Sequence, residues 1–263
     1  MKPCPIELIG CGALSEQVYA PVLAYLERTG RVKVVGLMDP VEARRVQIAK
    51  IFPASSCVAR LEELPPAPGS LAVVASPPGF HAAQTCALLD AGRHVLCEKP
   101  LAMTVAEAET MIAAAQRANR LLAGGMMRRF YLPVQVMREN LAAGTFGEPR
   151  QVDVVEGGKF GWNAASPKFF ERANGGVLYD LGSHMLDIAG WILADTPRKL
   201  YAVSREGILK ARGIDAPDFH VATVEYARGA VAVFEHAWIL PRTHNTVKDL
   251  KLEILGSDGA LYV

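Results

Sequence analysis

Residues 6–15, read as IELIGCGALS, decide the fold of this chain. A short apolar run meets a turn built on Gly10 and Gly12, and a helix-like segment follows through Leu26. Residues 32–38 form a second apolar run, closed by Asp39. Strand, glycine turn, helix, strand and acid is the order of a dinucleotide-binding unit. Gly10 permits the tight turn, while Gly12, with Ala13 and Leu14 beside it, lets backbone approach a pyrophosphate at the helix N-terminus. Two departures from the pattern stand out. Ser15 occupies the third fingerprint position, where Gly or Ala is usual, and Asp39 stands 27 positions after Gly12 rather than about 20. A long helix and its exit turn absorb the excess. An acid at that point accepts hydrogen bonds from ribose hydroxyls and repels a 2′-phosphate, which favours NAD, with Arg44 and Arg45 leaving NADP open. Glycine-rich turns also occur in folds that bind no nucleotide, so the rest of the chain has to decide.

The alternation continues. Residues 43–51 read as a helix and 71–75 as a strand that Ser76-Pro77-Pro78-Gly79 breaks sharply. A helix over 81–91 leads to a strand over 94–97 that ends in Glu98-Lys99-Pro100. Thr104 caps a helix over 105–119, with Glu107 completing a capping box, and 121–124 is a last short strand. Repeated βα units predict a doubly wound parallel sheet with ligands at the carboxyl ends of its strands. Gly10–Gly12, Asp39, Ser76–Pro78 and Glu98–Pro100 all fall at such ends.

Further on, residues 175–191 read GGVLYDLGSHMLDIAGW and predict one helix with two stripes. Leu178, Leu181, Met185, Ile188 and Ile192 recur at steps of three and four, a face fit for burial. Asp180, His184, Asp187 and Trp191 keep the same steps on the other side, so that a carboxylate and an imidazole can address one small molecule. Two other readings stay open: an ordinary amphipathic helix with its acids in water, and a zinc or manganese site on Asp180, His184 and Asp187. Arg129-Phe130 opens a helix to Ala143, and strands are expected over 151–156, 199–205, 219–226, 231–238 and 251–255, with a hairpin turn at 226–230. The loop between them carries Lys159, Phe160, Trp162 and Phe169 as a candidate pocket wall. Arg129 and Trp162 are candidate substrate contacts.

Composition narrows the class. The chain has 263 residues, half of them apolar, and a net charge of +1, enough for two domains, expected over 1–124 and 125–263. Basic residues never cluster long enough to suggest nucleic acid, and no apolar run approaches a membrane span. The start lacks a signal-peptide pattern, and five cysteines without a CxxC pair argue against a disulfide framework or zinc ribbon. The expectation is a soluble, cytoplasmic protein.

GCGALS at 10–15, Asp39, ASPPGFH at 75–81, CEKPLA at 97–102 and GGVLYDLGSHMLD at 175–187 together resemble the Gfo/Idh/MocA oxidoreductases. The resemblance implies an N-terminal Rossmann domain and a C-terminal α/β domain with a large, mostly antiparallel open sheet. It implies NAD(P)-dependent hydride transfer to or from a secondary alcohol of a sugar, sugar derivative or cyclitol. Lys99 would be catalytic, with Asp180 and His184 as partners that also touch substrate, and Lys99–Pro100 a cis peptide. Gly10, Gly12, Ala13, Leu14, Asp39, Ser76, Pro77, His81, Glu98, Lys99 and Pro100 would hold the cofactor, in a homodimer or homotetramer without a metal. Imidazole has the ordinary pKa of a general base near neutrality, which suits His184 to the hydroxyl proton. Family members usually continue beyond the GSDGALYV pattern at which Val263 falls, so the second domain is expected to be shortened. The rival readings are an NAD-assisted glycosidase or lyase, and an inactive nucleotide-binding regulator.

Overall fold

The computed structural model describes residues 2–159 and 175–263. The chain divides into two compact units, Met1–Gly125 and Met126–Val263. The first contains β1 (Cys4–Ile9), α1 (Ala20–Arg28), β2 (Val32–Met38), α2 (Glu42–Ala49), β3 (Ser56–Val58), β4 (Leu71–Val74), α3 (His81–Asp90), β5 (His94–Cys97), α4 (Val105–Ala118) and β6 (Leu122–Gly124). Its six strands pair in parallel in the order β3-β2-β1-β4-β5-β6, the order of a dinucleotide-binding sheet. Strands buried on both faces need apolar residues at every position, because successive side chains point to opposite faces. β4 shows this: Ala72 and Val74 join one core cluster with Leu88, Leu89 and Met111. Val73 joins the other, with Leu8, Leu23, Leu37 and Ile48. The capping box on α4 forms as expected, with Glu107 N–H donating to Thr104 Oγ1 at 3.2 Å and Thr104 N–H to Glu107 Oε2 at 3.0 Å.

The second unit contains α5 (Leu132–Ala142), β7 (Pro149–Lys159), α6 (Ser183–Leu193), β8 (Pro197–Arg205), β9 (Phe219–Tyr226), β10 (Val231–Leu240), β11 (Lys248–Gly256) and β12 (Ala260–Tyr262). The strands pair in the order β12-β11-β7-β10-β9-β8. Every neighbouring pair is antiparallel except β7 and β10. That parallel pair arises because the chain crosses over through α6 before it enters the antiparallel run β8-β9-β10. α6 packs Met185, Ile188, Ala189 and Ile192 onto Val152, Val154, Phe234 and Ile254.

Two helix expectations are corrected. Met127–Phe130 is a 3₁₀ turn, and α5 starts only at Leu132, where Pro133 fits the first turn without losing a hydrogen bond. The helix expected over 175–191 opens with a π-helical turn, Leu178–Gly182, before α6. Among the described residues, no helix is long and apolar enough to cross a membrane.

Candidate active site

In the first unit the glycine turn is built by close approach. A Cβ on Gly10, whose φ is +92°, would lie 2.8 Å from the Ser76 nitrogen, so the ends of β1 and β4 touch through this residue. A Cβ on Gly12 would meet no protein atom within 4 Å. Helical backbone starts at residue 13, and the first N–H groups of a helix have no partner within it. Ser15 is buried and donates its hydroxyl to the Gly10 carbonyl, which explains how it replaces the third glycine. The open space at Gly12 and the helix N-terminus beside it fit a pyrophosphate.

Asp39 is buried, and both carboxylate oxygens already accept main-chain bonds. Oδ2 takes Cys11 N–H at 2.9 Å and Oδ1 takes Val41 N–H at 2.8 Å. Its first task is therefore to brace the glycine turn, and a ribose hydroxyl would use a remaining lone pair. Arg45 donates to the Asp39 carbonyl, and Arg44 stands 4.0 Å from Oδ2. The Cys11 thiol is pushed up to about 12 by burial and by Asp39. Burial does the same to Cys97, also to about 12, so neither is a thiolate at neutral pH.

The ends of β4 and β5 are tied together by His81. Its Nδ1 is 2.8 Å from the Pro100 carbonyl and its Nε2 2.8 Å from that of Ser76. His81 is buried, with one ring nitrogen facing each of the two loops it lies between. Ser76 Oγ donates to Gln84 Oε1 at 2.6 Å, and Pro77 leads into the short turn Pro78–Phe80. The Lys99–Pro100 bond is cis. Glu98 Oε1 accepts the Tyr19 hydroxyl at 2.6 Å, and Oε2 accepts Lys99 N–H at 3.0 Å.

In the second unit the polar stripe divides. Asp180 and His184 are turned inward, 8% and 6% exposed, a placement that excludes acids standing in water. Asp187 instead faces Arg129, which grips both its oxygens at 2.7 and 2.5 Å. Trp191 lies under Arg138 at 3.9 Å and near Arg129 at 5.8 Å, within cation–π range. Arg129 thus commits its Nε and Nη2 to Asp187, and Asp187 is withdrawn from the trio a metal would need. Trp162, Phe160 and Phe169 lie outside the described residues. Lys159 donates its ammonium to the His244 carbonyl.

Arg128, next in sequence to Arg129, takes the inward position. Its Nη2 donates to Glu156 Oε1 at 2.5 Å, and its Nη1 lies 3.8 Å from Met185 Sδ. His236 is paired in register with Glu156 on the neighbouring strand. A Cβ on Gly182 would lie 3.2 Å from the His236 ring, so the π turn rests on that imidazole. Burial pushes His236 down to about 4, leaving it neutral at pH 7. The covered face of the second sheet is therefore apolar along Val152, Val154 and Phe234, and polar where it meets Gly182.

Residues 5–126 match the oxidoreductase family with the NAD-binding Rossmann fold that bears the GFO/IDH/MocA name, and 134–262 match the GFO/IDH/MocA C-terminal domain. The chain belongs to the Gfo/Idh/MocA oxidoreductase family. It is 29% identical to the 1,5-anhydro-D-fructose reductase of Ensifer adhaerens over 260 residues, 97% of this chain and 74% of that protein. It is 31% identical to the D-glucoside 3-dehydrogenase of Escherichia coli K12 over 199 residues, 73% of this chain but only 54% of that protein. The crystal structure of GenD2 from gentamicin A biosynthesis, in complex with NAD, superposes with a TM-score of 0.86 at 24% identity, covering all of this chain and 72% of that one.

Within this Gfo/Idh/MocA frame, four residues were not anticipated: Tyr19, Arg128, Glu156 and His236. Glu156 and His236 had a readable signal. Each continues a period-two run on the inner face, after Val152 and Val154 and after Ala232 and Phe234. Tyr19 had none, because its position depends on a π turn, Ser15–Tyr19.

Proposed function

We propose that the protein is an NAD(P)-dependent dehydrogenase acting on a secondary alcohol of a sugar, sugar derivative or cyclitol. The observation that carries this reading is the inward turn of Asp180 and His184 on one helix, in a chain whose first unit has the strand-end cradle of a dinucleotide fold. The nicotinamide cofactor, when bound, supplies the hydride acceptor or donor. Gly10, Gly12, Ala13 and Leu14 receive its pyrophosphate, Asp39 its ribose, and the Ser76–Pro77 and Glu98–Pro100 segments its remaining length. His184 takes the hydroxyl proton of the substrate on its imidazole, and Asp180 fixes the orientation of that ring. Lys99 presents an ammonium to the oxygen as alkoxide charge develops. The sugar-like substrates named for the two relatives support a polyhydroxylated substrate.

We further infer a homodimer or homotetramer, supported by the apolar Leu200 and Tyr201 standing exposed on edge strand β8. Five free cysteines suit the reducing cytoplasm. The test is a panel of polyols and sugar derivatives with NAD and NADP, followed by absorbance of the reduced cofactor. Net reduction with carbonyl product supports a dehydrogenase. Aglycone release without net reduction points to a glycosidase or lyase, and cofactor binding without turnover to a regulator.

A further inference from the structure

We infer that Tyr19 is a positioning residue for Lys99, acting through the Glu98 carboxylate. This rests on the dehydrogenase reading only in the catalytic role it gives Lys99. The two oxygens of Glu98 face two donors from different segments. The Tyr19 hydroxyl, on the helix that opens at the glycine turn, donates to Oε1 at 2.6 Å. The main-chain N–H of Lys99 donates to Oε2 at 3.0 Å. The first distance lies in the range of a charge-assisted O–H···O⁻ bond. Burial and the Glu98 charge both raise the Tyr19 hydroxyl above its ordinary pKa, so it remains a donor throughout the working range.

The ring is held by more than this bond. Tyr19 packs against the core cluster of Ile6, Leu8, Leu23 and Leu37, and it ends the π turn Ser15–Tyr19. Each residue of an α-helix advances about 100° around the axis, so an extra residue in the turn swings everything beyond it by that angle. The π turn therefore sets which way the Tyr19 hydroxyl points, and such turns recur at functional sites. On the far side of Lys99, the Pro100 carbonyl is held by His81. The Lys99 main chain is thus fixed at both ends, by Tyr19 through Glu98 and by His81 through Pro100. An ammonium on a four-carbon stem is directed only as well as its backbone is.

Tyr19→Phe keeps the ring and its packing and removes one donor. Hydrogen exchange at the Lys99 amide should accelerate about tenfold, as for loss of one bond to a charged group. On a secondary alcohol that is turned over, kcat should fall about tenfold, within the hundredfold that a misplacement of about 1 Å costs. KM and cofactor affinity should stay within about twofold of wild type, a split that general destabilisation does not produce. Wild-type exchange at Lys99 in a folded Tyr19→Phe protein overturns the inference. If that variant does not fold, Glu98→Gln decides instead. Its amide offers one acceptor atom to two donors, so faster Lys99 exchange supports the inference and a wild-type rate overturns it. Exchange is read without substrate, so failure to oxidise any alcohol sinks the dehydrogenase reading while leaving the Tyr19 test intact.

Discussion

Replacing Arg128 by Met should unfold the second unit far more readily than its position at the edge of α5 suggests. The Arg128 side chain is 9% exposed and its partner Glu156 only 1%, with 2.5 Å between them. In Arg128→Met, the one ion partner left to Glu156 among the described residues is the ammonium of Lys248, 3.7 Å away on a side chain 39% exposed. Its Oε2 has no hydrogen-bond partner among the described residues. Breaking a buried pair from one side costs about 3–5 kcal/mol, and the remaining Lys248 places the expected loss near the lower end, about 3 kcal/mol. All three tryptophans, Trp162, Trp191 and Trp238, belong to the second unit, so their fluorescence in a urea titration reports on that unit. With a slope of about 2 kcal/mol per molar urea, the midpoint should fall by about 1.5 M. The double variant Arg128→Met, Glu156→Leu removes both charges and should recover most of the loss. A single variant within about 1 kcal/mol of wild type, or a double variant as unstable as the sum of its parts, would refute the reasoning.

Three further outcomes follow from the same geometry. His236 sits at about 4 in the folded protein against an ordinary 6.5, so the unfolded chain binds its proton first. Stability from this residue is complete above pH 6.5 and declines toward pH 4, by on the order of 3 kcal/mol; urea titrations across that window should lose this slope in His236→Gln. Arg129→Ala frees Asp187, and because the Arg129 side chain is 40% exposed the stability cost should be about 1 kcal/mol. Substrate KM should stay within about twofold in that variant, and a tenfold rise would return Arg129 to the substrate. Asp39→Asn offers one oxygen to two amides, those of Cys11 and Val41. Calorimetry should then show NAD affinity reduced about tenfold, and unchanged binding would contradict the bracing role.

The readable parts of the fold were those with strong local punctuation. Val32–Met38, His94–Cys97 and Phe219–Tyr226 form strands with the boundaries expected, because apolar runs there end at turn residues or an acid. β3 escaped notice because three residues with no alternation carry no period. The parallel pairing of β7 with β10 is set by the crossover through α6, which no local pattern encodes. Asp180 and His184 were legible as candidates on one helix, and both are buried, but the fate of Asp187 was not legible. It depends on whether Arg128 or Arg129 turns outward, and a 3₁₀ turn at Met127–Phe130 gives a different phase from the α-helix expected there. The two π turns depend on a shift in backbone hydrogen bonding rather than on residue type, so the placements of Tyr19 and Gly182 became visible only in three dimensions.

The decisive measurement is reduced-cofactor formation on a panel of secondary alcohols by the wild type beside Lys99→Met and His184→Asn. A dehydrogenase yields reduced cofactor and carbonyl product in equal amounts, and each substitution lowers turnover at least about a hundredfold while cofactor binding persists. Near-wild-type turnover in both variants on a confirmed substrate would contradict the roles given to Lys99 and His184. Tight cofactor binding with no reduction across the panel would contradict the dehydrogenase itself.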